Sequence, residues 1–124
     1  MQIITTAEAP APIGPYNQAI AHNGSLYVSG QNALDPLTSK LVQDSLTLET
    51  HQVMRNLQAV LKAAGTDFSK AIKTTIFLRD MGYFAEVNEV YGGYFSGHYP
   101  ARETVAVLGL PKDVRVEISM IVAL

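Results

Sequence analysis

Two charged side chains in the last quarter of the chain stand in otherwise apolar, β-prone surroundings. Arg102 follows Pro100-Ala101, and Glu117 lies between Val116 and Ile118. A guanidinium can hold a carboxylate through two parallel hydrogen bonds, so Arg102 is a candidate ligand for a carboxylate. Glu117 is either the polar end of a binding pocket or part of a solvated strand face. A surface or structural ion pair is the common alternative for Arg102.

Three shorter stretches carry further candidate groups. Tyr16 follows Gly14-Pro15, a turn that could hold an aromatic hydroxyl in place, or the ring could simply pack near the surface. Ser29 and Gly30 end an apolar strand, where a glycine lets a ligand approach the backbone closely or marks a bulge. Asn88, the third candidate, lies in a predicted helix, where the alternative to a site role is an ordinary solvated position.

The side chains of a strand alternate between its two faces, which sorts the charges near Arg102 and Glu117. Glu117 lies on the face opposite to the apolar series Val114, Val116, Ile118, Met120 and Val122. Arg102 shares a face with Thr104, opposite to Glu103. The two strands are joined through "GLPKD", and we expect a hairpin. Its register then decides whether Arg102 and Glu117 meet, and alternation leaves that register open.

The remaining pattern predicts the elements that must position these groups. A β-prone opening (Ile3 to Thr6) precedes a hairpin with Asn23-Gly24 at its turn, because a type I′ turn needs positive φ at both central residues. A helix is predicted from about Leu46 to Ala64, with Thr47 as N-cap and Gly65 at its end.

The second half of the chain continues this alternation of strands and helices. A buried strand is predicted over 71–78. Asp80 then caps a second helix, in which Phe84, Val87, Tyr91 and Phe95 recur at intervals of three and four. The order β-β-β-α-β-α-β-β predicts an α+β fold, a mixed, mostly antiparallel sheet with two helices packed on one face.

Composition limits the classes of function. A chain of 124 residues without linker or repeat predicts a single domain over 1–124. The net charge is −2, whereas nucleic-acid-binding proteins depend largely on clustered positive charge. Nucleic acid is therefore not an expected partner. The chain has no cysteine, and its three histidines lack metal-ligand spacing, so no metal site is expected. No leader or membrane span is apparent, and we expect a cytoplasmic location.

Six stretches of the chain resemble one known family from nearly end to end. They are "APAPIGPYNQAI", "LYVSGQ", "VMRNLQAVLKAAG", "KTTIFLRDM", "VNEVYGGYF" and "PARETVAVLGLPKDVRVEI". The chain is identified from them as a member of the reactive intermediate deaminase (RidA/YjgF) family, whose older labels include endoribonuclease L-PSP and translation inhibitor. The most specific match is the P-A-R segment, followed fifteen residues after its arginine by the glutamate of V-E-I.

The resemblance implies a chorismate-mutase-like α+β fold and a homotrimer with three sites in clefts between subunits. It also implies hydrolysis of enamines and imines, such as 2-aminoacrylate, to 2-oxo acids and ammonia, without metal or organic cofactor. By position, Arg102 would bind the substrate carboxylate and Glu117 would orient or activate water. The pocket would be lined by Tyr16, Ser29, Gly30, Asn88 and Thr104, with Tyr91 nearby.

Three positions depart from the family's pattern. Glu103 stands where many relatives have a small residue, and strand alternation directs it away from the face of Arg102. Asn32 replaces a usually apolar residue and could change the polarity of the pocket. Thr104 replaces a frequent cysteine, which excludes thiol chemistry. Two other functions stay open beside the deaminase: a trimer that binds small carboxylates without turnover, and an endoribonuclease.

Overall fold

The structure is a computed structural model that describes the whole chain, Met1–Leu124. Its element order matches the predicted one. The strands are β1 (Gln2–Ile4), β2 (Ala19–His22), β3 (Ser25–Gln31), β4 (Ala71–Leu78), β5 (Ala101–Ala106) and β6 (Val116–Ala123), and the helices are α1 (Leu46–Ala63) and α2 (Phe84–Gly92). All six strands form one sheet in the order β1-β2-β3-β6-β4-β5, and β4-β5 is its only parallel pair. The predicted α+β architecture is confirmed.

The expected hairpin between the last two strands is wrong. β5 pairs in parallel with β4, with Thr74 opposite Arg102, whereas β6 lies antiparallel between β3 and β4, with Phe77 opposite Glu117. The physical reason is the crossover through α2. A strand, a helix and a second strand join parallel neighbours, so β5 takes the edge of the sheet. The loop after β5 then carries the chain past β4 into β6.

Local turn and cap chemistry explains most element boundaries. The turn at Asn23-Gly24 has φ values of 51° and 80°, which confirms the predicted hairpin between β2 and β3. The predicted N-cap of α1 is wrong by two residues: the Ser45 side chain accepts from the Leu48 N–H. Thr47 donates instead to Glu86 of α2 over 2.7 Å. Gly65, at φ 78°, follows the C-cap of α1 as predicted.

The second helix begins in two steps. Asp80 caps a short 3-10 turn over Met81–Tyr83 by accepting from the Gly82 N–H, and α2 follows directly. The helix ends at Gly92, so Phe95, the last residue of the predicted apolar series, lies outside it. Phe95 still packs on Tyr91, with ring centroids 4.8 Å apart.

The two faces of the sheet have different surroundings. Both helices pack on one face, which we call the helix face, and the alternate residues of β4 and β6 that point there are buried: Thr74, Ile76, Leu78, Val116, Ile118, Met120 and Val122. The other face, the open face, has no covering layer and exposes apolar side chains such as Tyr27 and Val105. Neither α1 nor α2 combines the length and the apolar character that a membrane-spanning helix needs.

Candidate active site

Arg102 lies on the helix face of edge strand β5, where α2 and two aromatic rings hold it. Its Nη1 donates to Oδ1 of Asn88 over 2.7 Å. Its guanidinium carbon lies 5.2 Å from the ring centroid of Tyr91 and 5.6 Å from that of Phe84. Cations are attracted to the faces of aromatic rings, so the rings and the amide together restrict the guanidinium. We call Arg102, Asn88, Tyr91 and Phe84 the arginine cluster.

Tyr91 is the buried member of the arginine cluster. Its hydroxyl donates to Oγ1 of Thr74 in β4 over 2.9 Å. Burial raises the pKa of Tyr91, and this outweighs the opposing effects of Thr74 and of the charge on Arg102. The hydroxyl therefore stays protonated near neutral pH, and its hydrogen bond links α2 to β4.

The arginine cluster opens into a pocket of about 400 Å³, lined by Asn88, Tyr91, Gly92, Tyr99, Pro100 and Arg102. Arg102 forms no ion pair within the chain, whose three ion pairs lie elsewhere. Thr104 follows on the same face of β5, and its buried hydroxyl has no hydrogen-bond partner. An unpaired guanidinium and an unpaired hydroxyl on one strand face are groups that an anionic, polar ligand would satisfy.

Glu117 lies on the open face, against a glycine in the neighbouring strand. The register between β3 and β6 shifts between Val28 and Gln31. At this irregularity, a Cβ atom on Gly30 would lie 2.4 Å from Oε2 of Glu117. Only glycine leaves room for the carboxylate in this position. Burial raises the pKa of Glu117, and we call Glu117 and Gly30 with Ser29 and Tyr16 the glutamate cluster.

Ser29 and Tyr16 join the glutamate cluster through the loop before β2. The Ser29 hydroxyl donates to the carbonyl of Asn17 over 2.6 Å, and its N–H donates to the carbonyl of Gln18 over 2.9 Å. These bonds hold the segment after Tyr16 against the end of β3. Tyr16 and Gly30 line one small pocket together, and the Tyr16 ring is half exposed beside Gly14, with a Cβ there 3.6 Å from the ring.

The two clusters do not meet within one chain. Arg102 shares the helix face with its partner Thr74, whereas Glu117 shares the open face with its partner Phe77. Strand β4 also separates the two residues in the sheet. Side chains on opposite faces of a sheet point apart. Of the eight predicted site residues, four thus belong to the glutamate cluster and three to the arginine cluster, with Thr104 farther along β5, and the two groups stay apart.

Two residues beside Arg102 were not predicted as site residues. The sequence pattern assigns Phe84 to the apolar stripe of α2, but its ring lies against the guanidinium of Arg102. Tyr99, which has no predicted role, lines the pocket. No spacing in the sequence marks them, because their place depends on how α2 crosses β5. Asn32, a suspected modifier of pocket polarity, uses its Oδ1 to accept from the Leu34 N–H, and it lines the small pocket of Tyr16.

Glu103 points to the open face, as alternation predicts. It accepts from the Thr75 hydroxyl and pairs with Lys73 at 3.1 Å. The hydrogen bonds from Thr75 and Lys73 lower the pKa of Glu103. Its carboxylate is therefore a structural partner of β4 and lies apart from the arginine cluster.

The raised pKa of Glu117 predicts a pH-dependent cost to stability. A carboxyl whose folded pKa lies above its ordinary value of 4.5 costs nothing below that value, and its cost is complete above the raised pKa. Glu117→Gln should therefore raise the melting temperature most near neutral pH, and the gain should shrink as the pH falls towards 4.5. Calorimetric melting across this range measures the difference.

Glu103→Gln is the matched control on the same face. The folded pKa of Glu103 is lowered, so its contribution is present at neutral pH and disappears in acid. This variant should gain no stability at neutral pH. A Glu117→Gln variant that melts below the wild type at neutral pH would show that the carboxylate gains a partner on folding.

A larger cavity than the pocket of Arg102, about 820 Å³, lies elsewhere, on the outer side of α1. Its lining mixes both signs of charge, with Arg55 and Lys62 beside Asp35 and Asp67, and includes no predicted site residue. Mixed, solvated charges do not converge on one ligand group. The two clusters are therefore the better candidates for chemistry.

Comparisons with known proteins agree with the predicted family. The model described as Endoribonuclease L-PSP matches residues 6–124. A mouse protein named 2-iminobutanoate/2-iminopropanoate deaminase is 47% identical, across 97% of this chain and 89% of its own. RidA from the Antarctic bacterium Psychrobacter sp. PAMC 21119 superposes with a TM-score of 0.96 at 38% identity, covering 100% of both chains.

A further solved structure contains a small molecule. E. coli TdcF with bound serine superposes with a TM-score of 0.94 at 36% identity, covering 100% of this chain and 99% of that one. The family model alone spans nearly the whole chain, and the solved structures share both fold and sequence with it. The chain therefore belongs to the endoribonuclease L-PSP family, which contains the RidA/YjgF proteins.

Proposed function

We propose that this protein hydrolyses reactive imines and enamines of small carboxylic acids, such as 2-aminoacrylate, to 2-oxo acids and ammonia. The observation that carries the proposal is the state of Arg102. It is held by Asn88 and by two rings, has no acidic partner in the chain, and borders a pocket of about 400 Å³. A fixed, unpaired guanidinium suits a carboxylate ligand.

The reaction requires the protein mainly to position the substrate and water and to transfer protons. The enamine takes a proton from water at its terminal carbon and gives up one from its nitrogen, which yields the imine with its electrophilic carbon. Water adds to that carbon, and the resulting aminoalcohol releases ammonia to leave the 2-oxo acid. Glu117 takes a proton from the attacking water and returns one to the nitrogen. Its raised pKa, which results from burial, brings it closer to the range of an effective base.

We propose further that the complete site forms between copies of the chain. Arg102 and Glu117 lie on opposite faces of the sheet, so one substrate can touch both only where two chains meet. The uncovered open face, with exposed Tyr27 and Val105, offers a surface for that contact. A contact between two different surfaces of identical chains repeats around a ring, and the homotrimer implied by the family resemblance closes such a ring.

The relatives support the same substrate class. The mouse relative is named for deamination of 2-iminobutanoate and 2-iminopropanoate, which are imines of small carboxylic acids. The bound serine of E. coli TdcF is also a small carboxylate, on a neighbour of the same fold. Both ligand types carry the group that the unpaired Arg102 would recognise.

The direct experiment generates 2-aminoacrylate in situ with a PLP-dependent dehydratase and follows its decay with and without this protein. We expect the protein to accelerate the release of pyruvate and ammonia well above the rate in buffer. Heat-denatured protein at the same concentration is the control for added amines.

A different result would favour the second candidate function, a trimer that binds small carboxylates. That function predicts calorimetric binding of 2-oxobutyrate with decay of 2-aminoacrylate no faster than in buffer. RNA cleavage has less support, because the chain is net negative and the candidate clusters contain a single cation.

A further inference from the structure

The position of the Glu117 carboxylate depends on its backbone. Glu117 joins no ion pair, and burial is the sole cause of its raised pKa, with no hydrogen bond contributing. The carboxylate rests on Gly30, where a Cβ would clash at 2.4 Å. A flexible side chain with no polar anchor keeps its place only if the strand that carries it is held firmly.

A buried carboxylate holds that strand two residues before Glu117. Glu49 of α1 is completely buried, and its Oε2 accepts from the backbone N–H of Arg115 over 3.0 Å. Its Oε1 pairs with Nε of the same arginine at 2.6 Å. The guanidinium also donates to the carbonyl of Gln43 over 3.0 Å. One carboxylate thus anchors both the main chain and the side chain of Arg115.

The opposite side of the same residue is held by Arg79, which directly follows β4. The N–H of Arg79 donates to the carbonyl of Arg115 over 3.0 Å. The Arg79 guanidinium binds the carbonyl of Asp113 at 2.6 Å and its carboxylate at 2.8 Å. Lys112 and Asp113 both have positive φ, a conformation that non-glycine residues keep only when their surroundings hold it. The entry into β6 is therefore clamped from two sides.

We infer that Glu49 is a positioning residue for the proposed hydrolysis: by anchoring the backbone of Arg115, it keeps the Glu117 carboxylate against Gly30 and directed at the reacting atoms. The inference rests on the proposed function for its catalytic consequence, but the geometric part stands by itself. Glu49 lies in α1 on the helix face and does not reach the ligand from there. It acts through Arg115.

A purely structural role for the pair makes a different prediction. A buried ion pair can often be replaced by two apolar residues at little cost to stability, whereas removing one partner leaves a buried charge and destabilises strongly. The backbone N–H of Arg115, however, loses its acceptor when leucine replaces Glu49. Replacing both partners should therefore give a more stable protein than replacing Arg115 alone, but a less well positioned Glu117.

The experiment compares Arg115→Met alone with the double variant Glu49→Leu/Arg115→Met. We expect the double variant to be the more stable of the two but to lose about 10- to 100-fold in kcat, as expected for a displaced catalytic group. The single variant should stay within about threefold of the wild type, since Glu49 still accepts from the backbone. Calorimetric affinity for 2-oxobutyrate, which Arg102 would bind, should change by less than about twofold in both.

A second readout does not depend on turnover. Carbon-13 NMR of the glutamate carboxyls, with Glu117 assigned through Glu117→Gln, follows the titration of that group. In the double variant the pKa of Glu117 should fall towards its ordinary value of 4.5, because the carboxylate leaves its buried place, and in Arg115→Met it should stay raised. Gly30→Ala is the positive control, since the new Cβ displaces the carboxylate while the clamp is intact.

Thr66→Val is the matched control at the other end of the same strand. The Thr66 hydroxyl donates to the carbonyl of Ala123 over 2.7 Å, so its loss weakens the hold on β6 far from Glu117. This variant should lower the melting temperature without moving kcat or the pKa of Glu117. If the double variant does not fold, Glu49→Asp replaces it, because the shorter side chain withdraws the carboxylate from the Arg115 N–H, and the same expectations for kcat and for the pKa of Glu117 apply.

The results separate the two proposals. A wild-type protein without turnover contradicts the proposed function, while the NMR titration still tests the clamp. A double variant that folds and keeps both the wild-type kcat and the raised pKa of Glu117 would overturn the positioning role. So would kcat values that follow stability, with Arg115→Met the slower of the two.

Discussion

Arg102→Met should lower kcat/KM for 2-aminoacrylate by roughly 10²- to 10³-fold, because the substrate carboxylate loses its charged partner. Truncating one side of such a desolvated pair costs about 3 to 4 kcal/mol, and each 1.4 kcal/mol corresponds to about tenfold in rate. Methionine retains an apolar stem between the rings of Phe84 and Tyr91. Steady-state kinetics on the imine generated in situ measures the loss.

The controls separate charge from shape. Arg102→Lys should recover only part of the activity, because an ammonium cannot make two parallel bonds while it also binds Asn88. Arg55→Met removes a cation from the outer cavity on α1 and should leave kcat/KM unchanged. Wild-type activity in Arg102→Met would contradict the assignment of Arg102 as the carboxylate-binding group.

Mixing two inactive variants should restore activity. Arg102→Met and Glu117→Gln each remove one cluster, and these clusters lie on opposite faces of the sheet. If each site takes its arginine from one chain and its glutamate from a neighbour, a mixed ring contains some sites with both groups intact. For equal amounts and random exchange, about a quarter of the sites are complete, and about a quarter of the wild-type rate should return.

The mixture needs exchange of subunits, so the variants are unfolded and refolded together and compared with the same variants refolded separately. The matched control refolds Arg102→Met together with a chain that carries both substitutions. It should restore no activity, because no chain in that mixture has Arg102. No recovery in the complementary mixture would mean that one chain supplies both groups, contrary to their placement on opposite faces of the sheet.

The local features of this fold follow from short stretches of sequence. The turn at Asn23-Gly24, the strand over 71–78 and the glycine after α1 were all predictable, because each depends on neighbours within a few residues. Alternation within strands likewise separated Arg102 from Glu103 and placed Glu117 opposite to Val116. The cap of α1 was misassigned to Thr47, since both Ser45 and Thr47 are suitable residue types and only the backbone selects one.

Strand pairing is not local, and the structure alone decided it. Alternation states which residues of one strand share a face, but it does not state which strand lies beside which. The short loop between β5 and β6 suggested a hairpin, although the strand–helix–strand unit of β4, α2 and β5 already favoured a parallel pair at the edge. The buried registers of β4 with β5 and β6 decide the question, because a shift of one residue would bury Lys73 and Thr75 in place of Thr74 and Ile76.

The sequence by itself therefore determined the kinds of element, the family, and the residues that could do chemistry. The tertiary structure decided how those residues are grouped. It divides them between the two faces of the sheet, with the arginine cluster under α2 and the glutamate cluster on the open face. The physical reason is that side-chain alternation is a property of each strand, whereas the order of strands depends on burying the helix face as a whole.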